Sequence, residues 1–374
     1  MLKILTVFGT RPEVIKMAPV INEFKKYRGK IICRTCVTGQ HRQMIDPLLE
    51  LFGLKADYDL NIMRENQTLR HITTSVLDKM ERIIKKERPD YLMVQGDTTT
   101  GMAAALAAYY QKVKITHVEA GLRTQDKYHP YPEEANRRII DAIGDLYFAH
   151  TQWAKENLID EGVAEEKIEV TGNTVIDALL DISKRKIDFK GTELEKVPMD
   201  KKIILVTAHR RESFGPPLMN ICKAIKEVAS KYSSEVIFVY PVHLNPNVQK
   251  TVHTLLKNTR NVFLIEPLRY EYLVHLMKKS YLVLTDSGGI QEEAPSLKKP
   301  VLVLREVTER PEAVKAGVVE VVGTNKNIIV KKTIELLENK AKYKKMARGA
   351  NPYGDGKASR RIVRRFLLEA GKNG

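Results

Sequence analysis

A chain of 374 residues, 43% hydrophobic and 29% charged, has the length of two α/β domains and too much apolar content to be mainly disordered. No apolar run approaches the roughly 18 residues of a membrane span, and Met1-Leu2-Lys3-Ile4 leads into a strand pattern rather than a signal peptide, so a cytoplasmic location is expected. The formal charge of +16 favours anionic partners, but acids interrupt the basic runs, as in Lys184-Arg185-Lys186-Ile187-Asp188, and no recognition helix, zinc spacing or aromatic RNA-binding signature is present. Small phosphate esters are therefore expected, and nucleic acid and membrane are not.

The first strand, Lys3–Phe8, runs into Gly9-Thr10-Arg11-Pro12-Glu13. Thr10 and Glu13 have capping-box spacing, and Pro12 is tolerated in a first helical turn. Arg11 and Lys16 put cations near that helix N-terminus, suited to a diphosphate; a well-capped helix with surface cations explains the same pattern. Pro19 should kink this helix. Next comes Ile31–Thr38, which contains Cys33 and Cys36. Residues three apart on a strand face opposite sides, so these thiols cannot converge on a metal or on each other. With Cys222 they form no disulfide framework, and core packing accounts for them.

Strand Tyr91–Gln95 ends in Gly96-Asp97-Thr98, where Asp97 is either an N-cap or a functional acid. Lys114–Val118 closes on Glu119-Ala120-Gly121-Leu122-Arg123. A glutamate ending an apolar strand beside a glycine turn is a poor structural choice unless it acts. The helix that begins at Tyr131-Pro132-Glu133-Glu134-Ala135-Asn136-Arg137-Arg138 should turn Ala135, Ile139 and Ile143 inward, with Glu133 leaning inward slightly more than Glu134. Either glutamate can pair with Arg137 or Arg138. Leu146–Ala149 and Glu169–Val170 continue the alternation.

Asp181 to Lys202, charged and interrupted by Gly191 and Pro198, reads as a linker. A second alternation follows: Ile203–Thr207, Val236–Val239, Val262–Leu264, Leu282–Thr285 and Val301–Leu304. A helix near Ala358–Leu368 has no strand after it and should pack back on the first half. Strand–helix alternation means parallel sheets covered on both faces. The expected fold is α/β: two Rossmann-like doubly wound domains, 1–180 and 181–355, facing a cleft, with 356–374 returning to the first.

In open α/β sheets ligands sit beyond the carboxyl ends of the strands. In the second half those ends carry Ala208-His209-Arg210-Arg211 and Asp286-Ser287-Gly288-Gly289-Ile290-Gln291-Glu292-Glu293. A histidine beside two arginines is suited to an anion. The two glycines let bare N–H groups approach a phosphate, Ser287 is an N-cap candidate, and the helix dipole points at the same spot. A carboxylate below would repel phosphate, so a nucleotide fits: diphosphate on the glycines, ribose hydroxyls on Glu293. Ile290, Ala294 and Leu297 form one helical face with Glu293 beside it, and Glu292 points to the other side. His117, His243 and Glu119 lack metal spacing, and no metal is expected; His41, His71 and His253 receive no role from their chemistry. Carboxylates in one half and a diphosphate cradle in the other fit proton transfer on a nucleotide-bound substrate.

Gly9-Thr10-Arg11-Pro12-Glu13, Gln95-Gly96-Asp97-Thr98, His117-Val118-Glu119-Ala120-Gly121-Leu122-Arg123, Pro132-Glu133-Glu134, His209-Arg210-Arg211-Glu212, Ser287-Gly288-Gly289-Ile290-Gln291-Glu292-Glu293 and Glu309-Arg310-Pro311-Glu312 occur in an order that resembles the non-hydrolysing UDP-N-acetylglucosamine 2-epimerases nearly end to end. The resemblance implies a glycosyltransferase-B-like fold and reversible conversion of UDP-N-acetylglucosamine to UDP-N-acetylmannosamine. It implies no NAD, metal or other cofactor, and a homodimer. By position Asp97, Glu119, Glu133 and His209 resemble the catalytic set. Arg11, Lys16, Arg210, Ser287, Gly288, Gly289 and Glu293 resemble the nucleotide-sugar contacts, and the backbone around Tyr272 the uracil-contacting segment. Gln40-His41-Arg42-Gln43-Met44 and His243 resemble parts of a second, regulatory substrate site. Ser213 and Val318 depart from the family's common asparagine and threonine, away from the acid–base groups. A hydrolysing epimerase, a glycosyltransferase on the same fold and a non-catalytic nucleotide-sugar sensor are the competing functions.

Overall fold

Strands buried on both faces need helices on both sides, and the apolar runs of this chain are arranged in that way twice. The computed structural model describes residues 1–40 and 42–372, which divide into one unit of Met1–Ala178 with the chain from Tyr353 onward and a second of Leu179–Pro352.

The first unit alternates β1 (Leu2–Phe8), α1 (Arg11–Phe24), β2 (Ile31–Val37), α2 (Arg42–Leu51), β3 (Tyr58–Asp59), α3 (Leu69–Glu87), β4 (Tyr91–Gln95), α4 (Thr99–Tyr110), β5 (Lys114–Ala120), α5 (Glu133–Ile143), β6 (Leu146–Ala149), α6 (Gln152–Asp160), β7 (Ile168–Val170) and α7 (Thr174–Lys184), whose end lies in the second unit. Its strands pair in parallel in the order β3-β2-β1-β4-β5-β6-β7. The direction of winding reverses between β1 and β4. Edge strand β3 was not expected from the sequence; it is a two-residue pair to Cys36 and Val37. Cys36 is buried, with its Sγ 3.7 Å from Met80 Sδ, while Cys33 is half-buried.

The second unit repeats the plan with β8 (Lys202–Thr207), α8 (Pro216–Lys231), β9 (Val236–Pro241), α9 (Pro246–Leu256), β10 (Val262–Ile265), α10 (Tyr270–Lys279), β11 (Leu282–Thr285), α11 (Gly288–Ser296), β12 (Val301–Val303), α12 (Pro311–Lys315), β13 (Val319–Val321), α13 (Lys326–Glu338) and α14 (Lys340–Arg348). The order is β10-β9-β8-β11-β12-β13, again parallel, and it reverses between β8 and β11. Between β7 and β8 the expected linker is partly helical: α7 runs to Lys184, and a 3-10 turn covers Glu193–Lys196.

The final helix, α15 (Ala358–Lys372), is held at both ends in the first unit. Phe366 inserts among Phe24, Tyr91 and Phe148 at ring-centroid distances of 5.6, 5.2 and 5.8 Å. Its N-terminus is capped from α7: the Asp177 carboxylate accepts the N–H groups of Ala358 and Ser359 at 3.1 and 2.8 Å. Among the described residues no helix is long and apolar enough to cross a membrane.

Candidate active site

In each unit the loops beyond the reversal point of the sheet carry the polar groups, as expected for open α/β sheets. In the first unit these are the β1–α1 and β4–α4 loops. Glu13, 1% exposed, joins them. Its carboxylate accepts the N–H groups of Thr10 and Gly9 at 2.7 and 2.9 Å and the Thr98 hydroxyl at 2.7 Å. Burial still raises its pKa above the usual carboxylate range, the hydrogen bonds acting against the shift. Thr98 is the N-cap of α4, accepting the Gly101 N–H at 2.9 Å. Asp97 therefore has no capping duty and instead pairs with Arg137 of α5 at 2.6 Å.

Glu119 lies one residue before the end of β5, where the register against β6 shifts between Val118 and Ala120. Its φ is +67°. The left-handed region costs a non-glycine residue roughly 1–3 kcal/mol and persists where surrounding structure compels it. The bulge re-aims the side chain. At 8% exposure the carboxylate meets Lys16 Nζ at 2.5 and 2.7 Å and Asn173 Nδ2 at 3.3 Å, and it accepts the Gln95 amide. Lys16, expected beside a diphosphate, is thus seated on a catalytic candidate. Arg11, the first residue of α1, is half-buried.

The expected orientation of α5 is wrong. Ile139 is 41% exposed, whereas Glu134, Asn136, Arg137, Ile140 and Asp141 are buried. Apolar periodicity marks the core face only where a helix packs on apolar neighbours. This helix packs on α4 and β5, with Ile140 in the apolar core and Ile143 against it, and its other buried side chains are polar because they meet charged groups such as Asp97 and Arg123. Glu134, not Glu133, is the fully buried glutamate, accepting the Thr124 N–H and Arg138 Nε at 3.0 Å each. Glu133 is half-buried at the first position of α5, and its Oε2 is buried with no hydrogen-bond partner among the described residues. An orphaned buried acceptor of this kind is unusual and fits a group that a ligand completes.

In the second unit Asp286 ties the loop after β8 to the loop after β11. Fully buried, its Oδ2 accepts the N–H groups of His209 and Arg210 at 2.7 Å each. The His209 ring stacks on His243 with centroids 5.0 Å apart and planes 11° apart. Burial lowers the His209 pKa, with help from His243 and Arg210 and against the pull of Asp286, so the ring favours its neutral form.

Ser287 is the N-cap of α11 by backbone position, without the side-chain hydrogen bond its type suggested. Gly288 and Gly289 form the first turn of that helix, and neither has positive φ. Their value is close approach. A Cβ on Gly288 would stand 3.5 Å from Arg310 Nη2 and 3.8 Å from Arg210 Nη2, and one on Gly289 would meet nothing within 4 Å. Two guanidiniums thus converge beside a helix N-terminus, an arrangement chemically suited to an anion. Arg310 was not singled out from the sequence, although Glu309-Arg310-Pro311-Glu312 was a matching motif. Glu292, 1% exposed, holds it at 2.5 Å, so the side of α11 opposite Glu293 is also buried. Glu293 accepts the Tyr270 hydroxyl at 3.0 Å. Tyr272, two residues along α10, is half-buried near Phe189.

Of the regulatory candidates, Gln40 accepts the Thr100 hydroxyl at 2.7 Å and Gln43 is exposed on α2. His243 contacts His209, and His41 lies outside the described residues. Among the described residues no group of three or more histidine, cysteine and acidic side chains has the arrangement to hold a metal.

Residues 24–367 match the family model described as UDP-N-acetylglucosamine 2-epimerase. The chain is 51% identical to the UDP-N-acetylglucosamine 2-epimerase of Campylobacter jejuni, over 99% of this chain and 98% of that one. Among solved structures it resembles the UDP-GlcNAc 2-epimerase from Neisseria meningitidis bound to UDP-GlcNAc, at 50% identity and TM-score 0.89 over 98% of this chain and all of that one. It also resembles the Methanocaldococcus jannaschii enzyme in complex with UDP-GlcNAc and UDP, at 36% identity and TM-score 0.81 over 98% of this chain and 100% of that one. With two Rossmann-like domains of the glycosyltransferase-B-like type and this extent of identity, the chain belongs to the UDP-N-acetylglucosamine 2-epimerase family.

Proposed function

We propose that this protein interconverts UDP-N-acetylglucosamine and UDP-N-acetylmannosamine without net hydrolysis. The observation that carries the reading is Glu119, forced into left-handed backbone at a bulge and presented, buried, to Lys16, Gln95 and Asn173. Strain at a buried, charged strand end supports a role in chemistry.

The sugar C2–H is weakly acidic, so its removal must be coupled to loss of the group on C1. A carboxylate takes the C2 proton as the C1–O bond to UDP breaks, the C–H electron pair becoming the C1=C2 double bond of 2-acetamidoglucal. In the return step a proton adds to the opposite face of C2, and the UDP oxygen re-forms its bond to C1. Proton removal from one face and delivery to the other calls for more than one acid–base group, which Asp97, Glu119 and Glu133 supply. Departing UDP carries the developing negative charge. Arg210, Arg310 and the N–H groups at Gly288 and Gly289 hold its diphosphate, the Glu293 carboxylate accepts ribose hydroxyls, and the segment around Tyr272 receives the uracil. Neutral His209, oriented through its backbone by Asp286, can pass a proton to or from the diphosphate oxygen. The same reading places the protein in the cytoplasm as a homodimer supplying N-acetylmannosamine units to polysaccharide, with Gln40, Gln43 and His243 contributing to substrate regulation.

The deciding experiment is incubation with UDP-N-acetylglucosamine in deuterated water followed by NMR at C2. Deuterium at C2 in both epimers, with UDP returned to the sugar, is expected. Accumulation of free N-acetylmannosamine would select the hydrolysing reaction, and tight UDP binding with no label at C2 would select a sensor.

A further inference from the structure

We propose that His117 is the positioning residue of the carboxylate set, held as an imidazolium that clamps the Asp97 turn to α5 and β5. The inference rests on the epimerase reading for its kinetic consequence and on geometry for the charge. His117 is fully buried on β5. Its Nε2 lies 2.7 Å from the Gly96 carbonyl oxygen and its Nδ1 lies 2.6 Å from Asp141 Oδ1. A carbonyl and a carboxylate both accept only. A neutral imidazole has one N–H and would face one of them lone pair to lone pair. Both contacts are hydrogen bonds only if the ring carries two protons.

The alternative, a protonated Asp141, is opposed by its other oxygen. Oδ2 takes an Arg123 Nη2 ion pair at 2.7 Å and the Gly121 N–H at 3.2 Å. Burial raises the Asp141 pKa, but His117 and Arg123 outweigh that and the net shift is downward. The charges then close. Arg123 also forms a two-pronged pair with the exposed Glu161 at 2.8 and 2.6 Å. Ion pairs run on from Glu161 through Arg138, Glu134 and Arg137 to Asp97, so with a charged His117 the four cations of the network face its four anions, Asp141, Glu161, Glu134 and Asp97. Tyr147 adds a hydroxyl bond to the Asp141 carbonyl at 2.7 Å.

Position gives the cluster its consequence. Gly96 precedes Asp97, His117 lies two residues before Glu119, and Asp141 shares α5 with Glu133 and with Arg137, the ion-pair partner of Asp97. One ring therefore links the three elements that carry the acid–base carboxylates, while touching none of those carboxylates itself.

The test combines selective 15N-histidine NMR of the wild-type protein with kinetics of His117→Gln, which offers a donor to only one side at a time. The wild-type His117 ring should show two protonated nitrogens with nearly equal shifts. H117Q should keep wild-type affinity for UDP and wild-type helix content by circular dichroism, which reports folding of both units, while kcat falls by about 10- to 100-fold, as expected when reacting groups are misplaced by about an ångström. A neutral wild-type ring overturns the proposal, and so does H117Q turning over within threefold of wild type. If H117Q does not fold, the wild-type spectrum decides. Failure of the wild-type enzyme to epimerise would remove the function while leaving the spectral result standing.

Discussion

Replacing Glu119 with glutamine tests the catalytic and the structural part of the argument together. The substitution keeps the side chain's size and the strained backbone but removes the charge facing Lys16. The two groups are 2.5 Å apart, with side chains 16% and 6% exposed. At that separation and an effective dielectric of 20 their attraction is about 6–7 kcal/mol before desolvation is subtracted. Removing one partner of a buried pair typically costs about 3–5 kcal/mol, because the other is left charged and unmatched. Lys16 retains some access to water, so the lower end, about 3 kcal/mol, is expected, or roughly 6–12 °C in Tm for a domain of this size. Loss of a general acid or base lowers the rate by about 10²–10⁴-fold, roughly 3–5 kcal/mol in the barrier. Differential scanning calorimetry reads the first number, and loss of the C2 proton from UDP-N-acetylglucosamine in deuterated water reads the second. Adding Lys16→Met should restore most of the Tm and none of the exchange. An E119Q protein that exchanges within threefold of wild type, or a double variant less stable than the single, would refute the reasoning.

The cradle of the second unit makes three further predictions. Gly288→Ala should leave Tm unchanged, because the added methyl stands at ordinary contact distance from both arginines, yet lower UDP affinity at least tenfold in calorimetry by occupying the phosphate's place; unchanged affinity would locate the diphosphate elsewhere. Arg310→Ala should weaken UDP binding by about 1.5–3 kcal/mol, the worth of a charge-assisted hydrogen bond, and a loss equal to that of a distant surface arginine would remove Arg310 from the site. His209 has a folded pKa below its ordinary value of 6.5, so the unfolded chain binds the extra proton first. Its contribution to stability is present above about pH 6.5 and declines as pH falls through the folded pKa. Melts of wild type and His209→Gln from pH 7.5 to 5 should show a smaller acid loss in the variant, and equal slopes would disprove the shift.

Strand-by-strand alternation was legible because parallel strands buried on both faces must be continuous apolar runs, and those runs stand out in a single sequence. The edges were not. Tyr58-Asp59 and Val319-Glu320-Val321 are short, mixed in polarity and recognisable only once a neighbouring strand pairs with them. Strand-end residues such as Asp97, Glu119, His209 and Ser287 could be singled out because the topology of a doubly wound sheet puts functional groups there. Their partners could not: Lys16 on Glu119, Arg137 on Asp97, Asp286 beneath His209 and Arg310 over Gly288 join residues from 40 to 103 positions apart or across separate loops. The inverted face of α5 shows the same division. Hydrophobic spacing reports where apolar surface can be buried, whereas the burial of Glu134, Arg137 and Asp141 follows from charges that only folding brings against them.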